Sequence, residues 1–170
     1  MTKLSLYLAT LLLGSNFSAS TLPKDPPGAY SAPPMTAVEQ RFADLANAER
    51  WQRDLNVLTP NPLLVQVARE HSREMCANSY FDHISPTLGS RTPMDRYLKG
   101  LGRTPTYACL GENLFFCTVV DADRGHKCLM ESAKHKENIL NPHFEEMGVG
   151  VYVDQSGRFW VTQLFLAQVD

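Results

Sequence analysis

The chain has no block of Lys or Arg: its 16 basic residues are scattered among 18 acidic ones, for a formal net charge of -2. Without a basic row to neutralise successive phosphates, a nucleic-acid partner is not expected. Gly-x-Ser-x-Gly, His-Glu-x-x-His and a glycine-rich phosphate loop are all missing, so the commonest hydrolase and nucleotide-binding signatures do not apply. No Cys-x-x-Cys pair is present, which argues against a thiolate zinc site. Past residue 20 there is no Asn-x-Ser/Thr sequon, and no internal repeat occurs. What is present is ordinary for one globular domain, with 44% hydrophobic and 20% charged residues in a chain of 170.

The start of the chain departs from that composition. Lys3 precedes a mainly apolar stretch over residues 4–13, and Ser18 and Ser20 supply small residues before Thr21. Ten apolar residues are too few to span a bilayer, which takes about 20. The pattern predicts a secretory signal peptide over residues 1–20, removed near Ser20; a buried N-terminal helix is the alternative. The product is expected to be secreted or periplasmic, a monomer, with no transmembrane segment. Residues 21–35 carry Pro23, Pro26, Pro27, Pro33 and Pro34 and read as an extended linker. The domain proper is expected over residues 36–170.

Export gives the four cysteines a meaning. Cys76, Cys109, Cys117 and Cys128 are even in number, and an oxidising compartment favours two disulfides. Three pairings are possible and spacing does not choose among them; the preferred one has Cys109 with Cys117 as a local clip and Cys76 with Cys128 as a staple between helices.

Periodicity then orders the domain. Thr36 caps a helix in which Val38, Phe42, Leu45 and Ala46 recur at helical spacing. Pro62 opens a second, with Leu64, Val67, Ala68, His71 and Met75 as one stripe. Residues 85–105 read as loops around a short helix at 94–99. A strand at 114–119, a helix at 120–134 and a hairpin of strands 148–154 and 159–169 follow. Asp154-Gln155-Ser156-Gly157 is the turn of that hairpin. The fold class is α+β, with helices packed on an antiparallel sheet.

The candidate chemistry lies in histidines and acids. His83 follows the second helix in Tyr80-Phe81-Asp82-His83, and Glu112 sits between Gly111 and Asn113. Glu131 and His135 are four apart and would share a face of a continuous helix. Two His and two Glu suffice for zinc or for acid/base work. Each alone also reads as a surface acid or a hydrogen-bonded imidazole.

In series, these segments resemble the CAP superfamily of cysteine-rich secretory, antigen 5 and pathogenesis-related 1 proteins (SCP-like domains). The likeness rests on Leu45-Ala46-Asn47-Ala48-Glu49-Arg50, the helix of residues 63–75, Tyr80-Phe81-Asp82-His83 and Arg96. It continues through Gly111-Glu112-Asn113, Met130-Glu131-Ser132-Ala133-Lys134-His135 and Asn138-Ile139-Leu140-Asn141-Pro142. Gly148-Val149-Gly150-Val151 and Trp160-Val161-Thr162-Gln163-Leu164-Phe165 complete it. The short form looks most like bacterial members. The resemblance implies an α-β-α sandwich whose central cleft holds a His/Glu tetrad: His83, Glu112, His135 and a second glutamate. The family's second glutamate falls nearest Ser132, with Glu131 one position away. Leu129 stands where the family usually has Trp, and Ala133-Lys134 where it has Pro-Gly.

The same resemblance implies a binding module for a divalent metal such as zinc, held by His83 and His135, or for a lipid or other small ligand. A host or envelope protein is the macromolecular partner it suggests. A zinc-dependent hydrolase working in the cleft and a purely structural tetrad are the alternatives. No serine or cysteine nucleophile is identifiable beside the tetrad, so a binding module is favoured over an enzyme.

Overall fold

A computed structural model describes residues 33–169. The expected signal peptide lies outside the described residues, as does the expected linker up to residue 32. Among the described residues, five helices flank one sheet: α1 (Ala37–Trp51), α2 (Pro62–Ala77), α3 (Pro93–Leu101), α4 (Ala122–Glu131) and α5 (Ala133–Leu140). The strands are β1 (Thr59–Pro60), β2 (Tyr107–Cys117), β3 (Glu146–Val153) and β4 (Phe159–Val169). They lie in the order β1-β3-β4-β2. β1 runs parallel to β3, and the other pairings are antiparallel. α1, α4 and α5 pack on one face of the sheet and α2 and α3 on the other. This is the α-β-α sandwich.

Local chemistry explains the helix starts. Thr36 and Glu39 form a capping box on α1. Glu39 also accepts from Arg69 of α2 at 2.8 and 2.6 Å and from the Val151 amide of β3 at 3.0 Å, so one buried carboxylate ties three elements. Asn61 caps α2 through the amides of Leu63 and Leu64, with Pro62 in the first turn. All five residues of the expected α2 stripe are buried. α2 lies so close on β3 that a Cβ at Gly150 would fall 2.0 Å from the Arg69 nitrogen, and one at Gly148 2.4 Å from the Leu64 carbonyl carbon. Only glycine fits at either position.

Alternation in the strands divides the core. Phe159, Val161 and Phe165 of β4 join Phe42, Ala46 and Leu129 on the α1 side, while Leu164 and Leu166 join Leu64, Val67 and Tyr97 on the α2 side. Arg50 is fully buried on the α1 side without a carboxylate; it donates to the carbonyls of Asn56, Ile139, Asn141 and Phe144 at 2.7–3.2 Å. It thereby fixes the α5–β3 connection to α1.

Three expectations need correction. First, all four cysteines are free. Cys109 and Cys117 stand eight residues apart on one unbroken strand, roughly 27 Å at about 3.4 Å per residue. A disulfide needs Cα atoms within about 7 Å, so the local clip is impossible. Cys76 packs with Met75, Leu114 and Trp160 on one face of the sheet, and α4, which carries Cys128, packs on the other. Second, the strand expected at 114–119 is the second half of an eleven-residue strand that starts at Tyr107. Third, the helix expected over 120–134 breaks at Ser132, whose φ of -89° and ψ of 121° are extended. Glu131 and His135 therefore sit on different helices.

Candidate functional site

β2 is an outer strand, and that position makes the site. Its even-numbered residues, Ala108, Leu110 and Leu114, face α2 and α3; Cys109, Phe115 and Cys117 face the other layer. Glu112 accordingly points toward α3, with only 2% of its side chain exposed. Both carboxylate oxygens are engaged. Oε1 lies 2.8 Å from His83 Nδ1, and Oε2 accepts from Arg96 Nη2 at 2.6 Å.

Arg96 reaches Glu112 because α3 is set by a Thr92–Asp95 capping box with Pro93 in its first turn. Its other terminal nitrogen, Nη1, donates to the carbonyls of His83, Ser90 and Arg91 at 3.2, 3.5 and 2.9 Å. One guanidinium so holds both ends of the loop that carries His83. The Arg96 side chain is 6% exposed, and its Nε is buried without an acceptor, so the charge relies on Glu112 for compensation.

His83 is different: half of its side chain is exposed. The hydrogen bond to Glu112 raises its pKa, against the opposing pull of burial. His135, in the first turn of α5, moves the other way, because burial and then the nearby positive charge of His83 both disfavour protonation. The two imidazoles thus interact electrostatically from elements on opposite faces of the sheet, one biased toward the charged form and the other toward the neutral.

Side-chain amides tie β2 to α5 and to β4. Asn113 Nδ2 donates to the His135 carbonyl at 3.0 Å and to Gln163 Oε1 at 3.2 Å. Asn138 Nδ2 donates to the Glu112 carbonyl at 3.1 Å and to Asn113 Oδ1 at 2.8 Å. The Asn138 bond gives the Glu112 carbonyl a side-chain partner, and the others tie β2 to α5 and to β4. A Cβ at Gly111 would lie 2.9 Å from the Phe144 ring and 3.0 Å from Asn138 Oδ1, so glycine lets α5 approach here.

Of the four tetrad residues, the structure joins His83 to Glu112 directly and sets His135 within electrostatic reach of His83. Glu131 is elsewhere: 65% exposed, at the end of α4, 3.9 Å from Lys127. Ser132, at the helix break, makes no capping bond with its side chain. Arg96, which is not one of the four, pairs with the second oxygen of Glu112. Asn113 and Asn138 complete the cluster. Asn138 follows His135 by three on a short helix, a spacing that marks a shared face.

A second polar cluster adjoins the first. Glu74 of α2 accepts from Tyr80, Ser85 and Thr87 at 2.6–2.8 Å. Its pKa is lowered, those bonds outweighing burial. The Tyr80 phenol is pushed up to about 12 by burial and then by Glu74. His71 is buried against the Asp82 carbonyl and the Tyr80 hydroxyl, and burial lowers its pKa. Between α2 and α3 opens a cavity of about 390 Å³ lined by Leu63, Val67, His71, Arg96 and Lys99 among others.

Among the described residues, no three His, Cys, Asp or Glu side chains converge as a metal site. Glu112 is committed to His83 and Arg96, so the donor set does not fit a three-ligand catalytic zinc. No helix among the described residues is long and apolar enough to cross a membrane.

Comparison with known proteins places these features in a family. The model of the cysteine-rich secretory protein family, CAP, matches residues 43–165. YkwD of Bacillus subtilis (strain 168) is 40% identical over 134 residues, 79% of this chain and 49% of YkwD. An extracellular SCP-domain protein from Bacillus anthracis str. Ames superposes with a TM-score of 0.66 at 31% identity, covering 81% of this chain and 45% of that one. An outer surface protein of Borrelia burgdorferi shares the fold at a TM-score of 0.63 and 19% identity, over 76% of this chain and 91% of its own. The chain spans about half the length of the two Bacillus proteins. The match runs from α1 to β4 and includes every element that builds the Glu112 cluster: the chain belongs to the cysteine-rich secretory protein (CAP) family.

Proposed function

We propose that this chain is an exported interaction module whose recognition site is the imidazole pair His83 and His135, offered to a divalent cation. The orientation of His83 carries the reading. Glu112 holds Nδ1 at 2.8 Å, which leaves Nε2 of a half-exposed ring as the coordinating nitrogen. A carboxylate behind an imidazole fixes its tautomer and raises its basicity, the usual support for a ligating histidine. His135 is biased toward the neutral form that a metal requires. Two imidazoles leave the remaining positions of an ion to water or to a donor on the bound partner. That suits recognition rather than a closed structural centre or a three-ligand hydrolase. The α2–α3 cavity, which shares Arg96 with the site but is lined by neither imidazole of the pair, gives a small organic ligand separate space within the usual range of ligand pockets. Export is supported by the leader-like start and by the extracellular nature of the Bacillus anthracis relative.

Calorimetry with zinc chloride tests the site. The parent protein is expected to bind zinc saturably, His135→Ala to bind it weakly and the His83→Ala/His135→Ala double variant not at all. Circular dichroism should show all three folded. Equal binding by the parent and the double variant would remove the site from the account.

A purely structural role is the second reading, and Arg96 favours it: three loop carbonyls and Glu112 depend on one guanidinium. On that reading neither protein binds zinc.

A further inference from the structure

The cavity between α2 and α3 carries charges of both signs that the fold leaves unpaired. It holds about 390 Å³ and is lined by neither His83 nor His135. From α2, Glu70 and Glu74 line it four residues apart, a spacing that puts two like charges on one helix face. Glu70 accepts from the neutral Gln66 amide at 3.0 Å. Glu74 accepts from three hydroxyls and lies 3.6 Å from His71, whose ring burial biases toward the neutral form. Burial of Glu74 is outweighed by those hydroxyl donors, so its pKa stays below the ordinary value and the carboxylate stays charged.

The cations are placed likewise. Lys99 of α3 donates to the Ser90 hydroxyl at 3.1 Å, again a neutral partner, and Arg73 lines the cavity from an exposed position on α2. The remaining cation, Arg96, is paired with Glu112. Among the described residues, Glu70, Arg73 and Lys99 form no ion pair, and that of Glu74 is with the His71 ring. One short turn keeps the signs apart. Thr87 gives its hydroxyl to Glu74 at 2.6 Å, Ser90 accepts from Lys99, and the Ser90 amide donates to the Thr87 carbonyl at 3.2 Å. A carboxylate and an ammonium thus sit at the two ends of that turn, each held by a hydroxyl rather than by the other. Leu63 and Val67, both buried, add an apolar wall.

This lining disfavours simple ligands. A lone anion would meet Glu70 and Glu74, and a lone cation would meet Arg73 and Lys99. A neutral apolar chain would desolvate all four charges without offering a partner to any. A ligand bearing both an ammonium and a carboxylate answers both signs. We propose that the α2–α3 cavity binds a small zwitterion, an α-amino acid or dipeptide with an apolar side chain. Its carboxylate lies against Lys99 and Ser90, its ammonium against Glu74 and Glu70, and its side chain on Leu63 and Val67. Charge-assisted hydrogen bonds at both ends fix its orientation, and the volume is that of a small-ligand pocket. The site needs neither imidazole of the cation pair, so it stands or falls separately.

Calorimetry with leucyl-leucine in the presence of EDTA tests it, since the chelator removes any divalent cation from the comparison. Saturable binding at millimolar concentration or below is expected. N-acetyl-leucyl-leucine, which lacks the ammonium, and leucyl-leucinamide, which lacks the carboxylate, should each bind about tenfold more weakly or worse, the loss of one charged contact. Lys99→Met should weaken leucyl-leucine by a similar factor and leave leucyl-leucinamide unchanged. Glu70→Gln should weaken leucyl-leucine and leave the acetylated peptide unchanged. Melting temperatures control for folding, and the exposed Glu70 position decides if the Lys99 variant fails to fold. Absence of saturable leucyl-leucine binding overturns the proposal. So does equal binding of the capped peptides, or binding unmoved by either substitution in a folded protein.

Discussion

Glu112→Gln removes the charge at the centre of the site while nearly preserving its shape. In the parent, Arg96 is 6% exposed, bonded to Glu112 at 2.6 Å, with its Nε buried and unpartnered. Breaking a buried ion pair by removing one member costs about 3–5 kcal/mol, because the survivor keeps its charge without compensation. Glutamine retains one oxygen for Arg96, and the guanidinium keeps its loop carbonyls, so the loss should sit at the low end, about 3 kcal/mol. For a domain of this size that corresponds to a fall in melting temperature of roughly 10 °C. A second readout is local. The raised pKa of His83 has its largest cause in the hydrogen bond to Glu112, so with the carboxylate gone burial and Arg96 are opposed only by Asp82 and the value should fall. Chemical denaturation gives the first quantity and an NMR titration of the His83 ring the second. A double-mutant cycle with Arg96→Met isolates the pair term. A loss under about 1 kcal/mol, with the His83 titration unmoved, would mean that the pair behaves as a solvated surface contact, and the reasoning would fail.

Two further outcomes follow from the same geometry. The folded pKa of His83 is raised, so the His83–Glu112 contribution is fully present below the unfolded value of about 6.5 and is lost as pH rises through the folded value. Denaturation of the parent and of His83→Gln should therefore differ more at pH 5.5 than at pH 8.5, and the reverse order would contradict the assignment. Gly150→Ala should cost at least about 3 kcal/mol or prevent folding, because the new Cβ meets backbone atoms of Arg69 and Ala68 at 2.0 and 2.2 Å and no side chain can swing away; a melting curve like that of the parent would refute the close approach.

The parts of the fold that could be read from sequence are those whose signals are local. The α2 stripe from Leu64 to Met75 is visible because its period is helical, and every member is buried. The turn at residues 154–157 is visible because Asp154 bonds the amides of Ser156 and Arg158 and Gly157 takes a positive φ of 84°. Where local and tertiary signals conflict, the sequence misleads. Tyr107 to Leu110 follow a Pro- and Gly-rich stretch and precede the strand expected at 114–119, yet pairing with Leu166 to Val169 makes them strand. Ser132 carries no local helix-stop signal, and its extended backbone is imposed where α4 and α5 turn against β2. The cysteine argument fails for a related reason: an even count in an exported chain says nothing about two thiols sharing one strand.

The site was legible only as a set of residues, not as a structure. His83 and Glu112 are 29 positions apart, and no spacing rule brings them together. What does so is the outer position of β2. A strand in the middle of the sheet would keep the side chains of its two faces in separate layers. At the edge, a loop after α2 and the first turn of α5 can approach one another around the strand, so His83 and His135 meet electrostatically across it. That arrangement carries polar links of its own: Asn138 of α5 donates to the Glu112 carbonyl and to Asn113, which donates in turn to Gln163 of β4. Polar residues that look like surface in the sequence are thus required by the topology that creates the site. The same fact explains why Arg96, unremarkable as one more basic residue on a short helix, is the group on which the loop, the carboxylate and the exposed imidazole all depend.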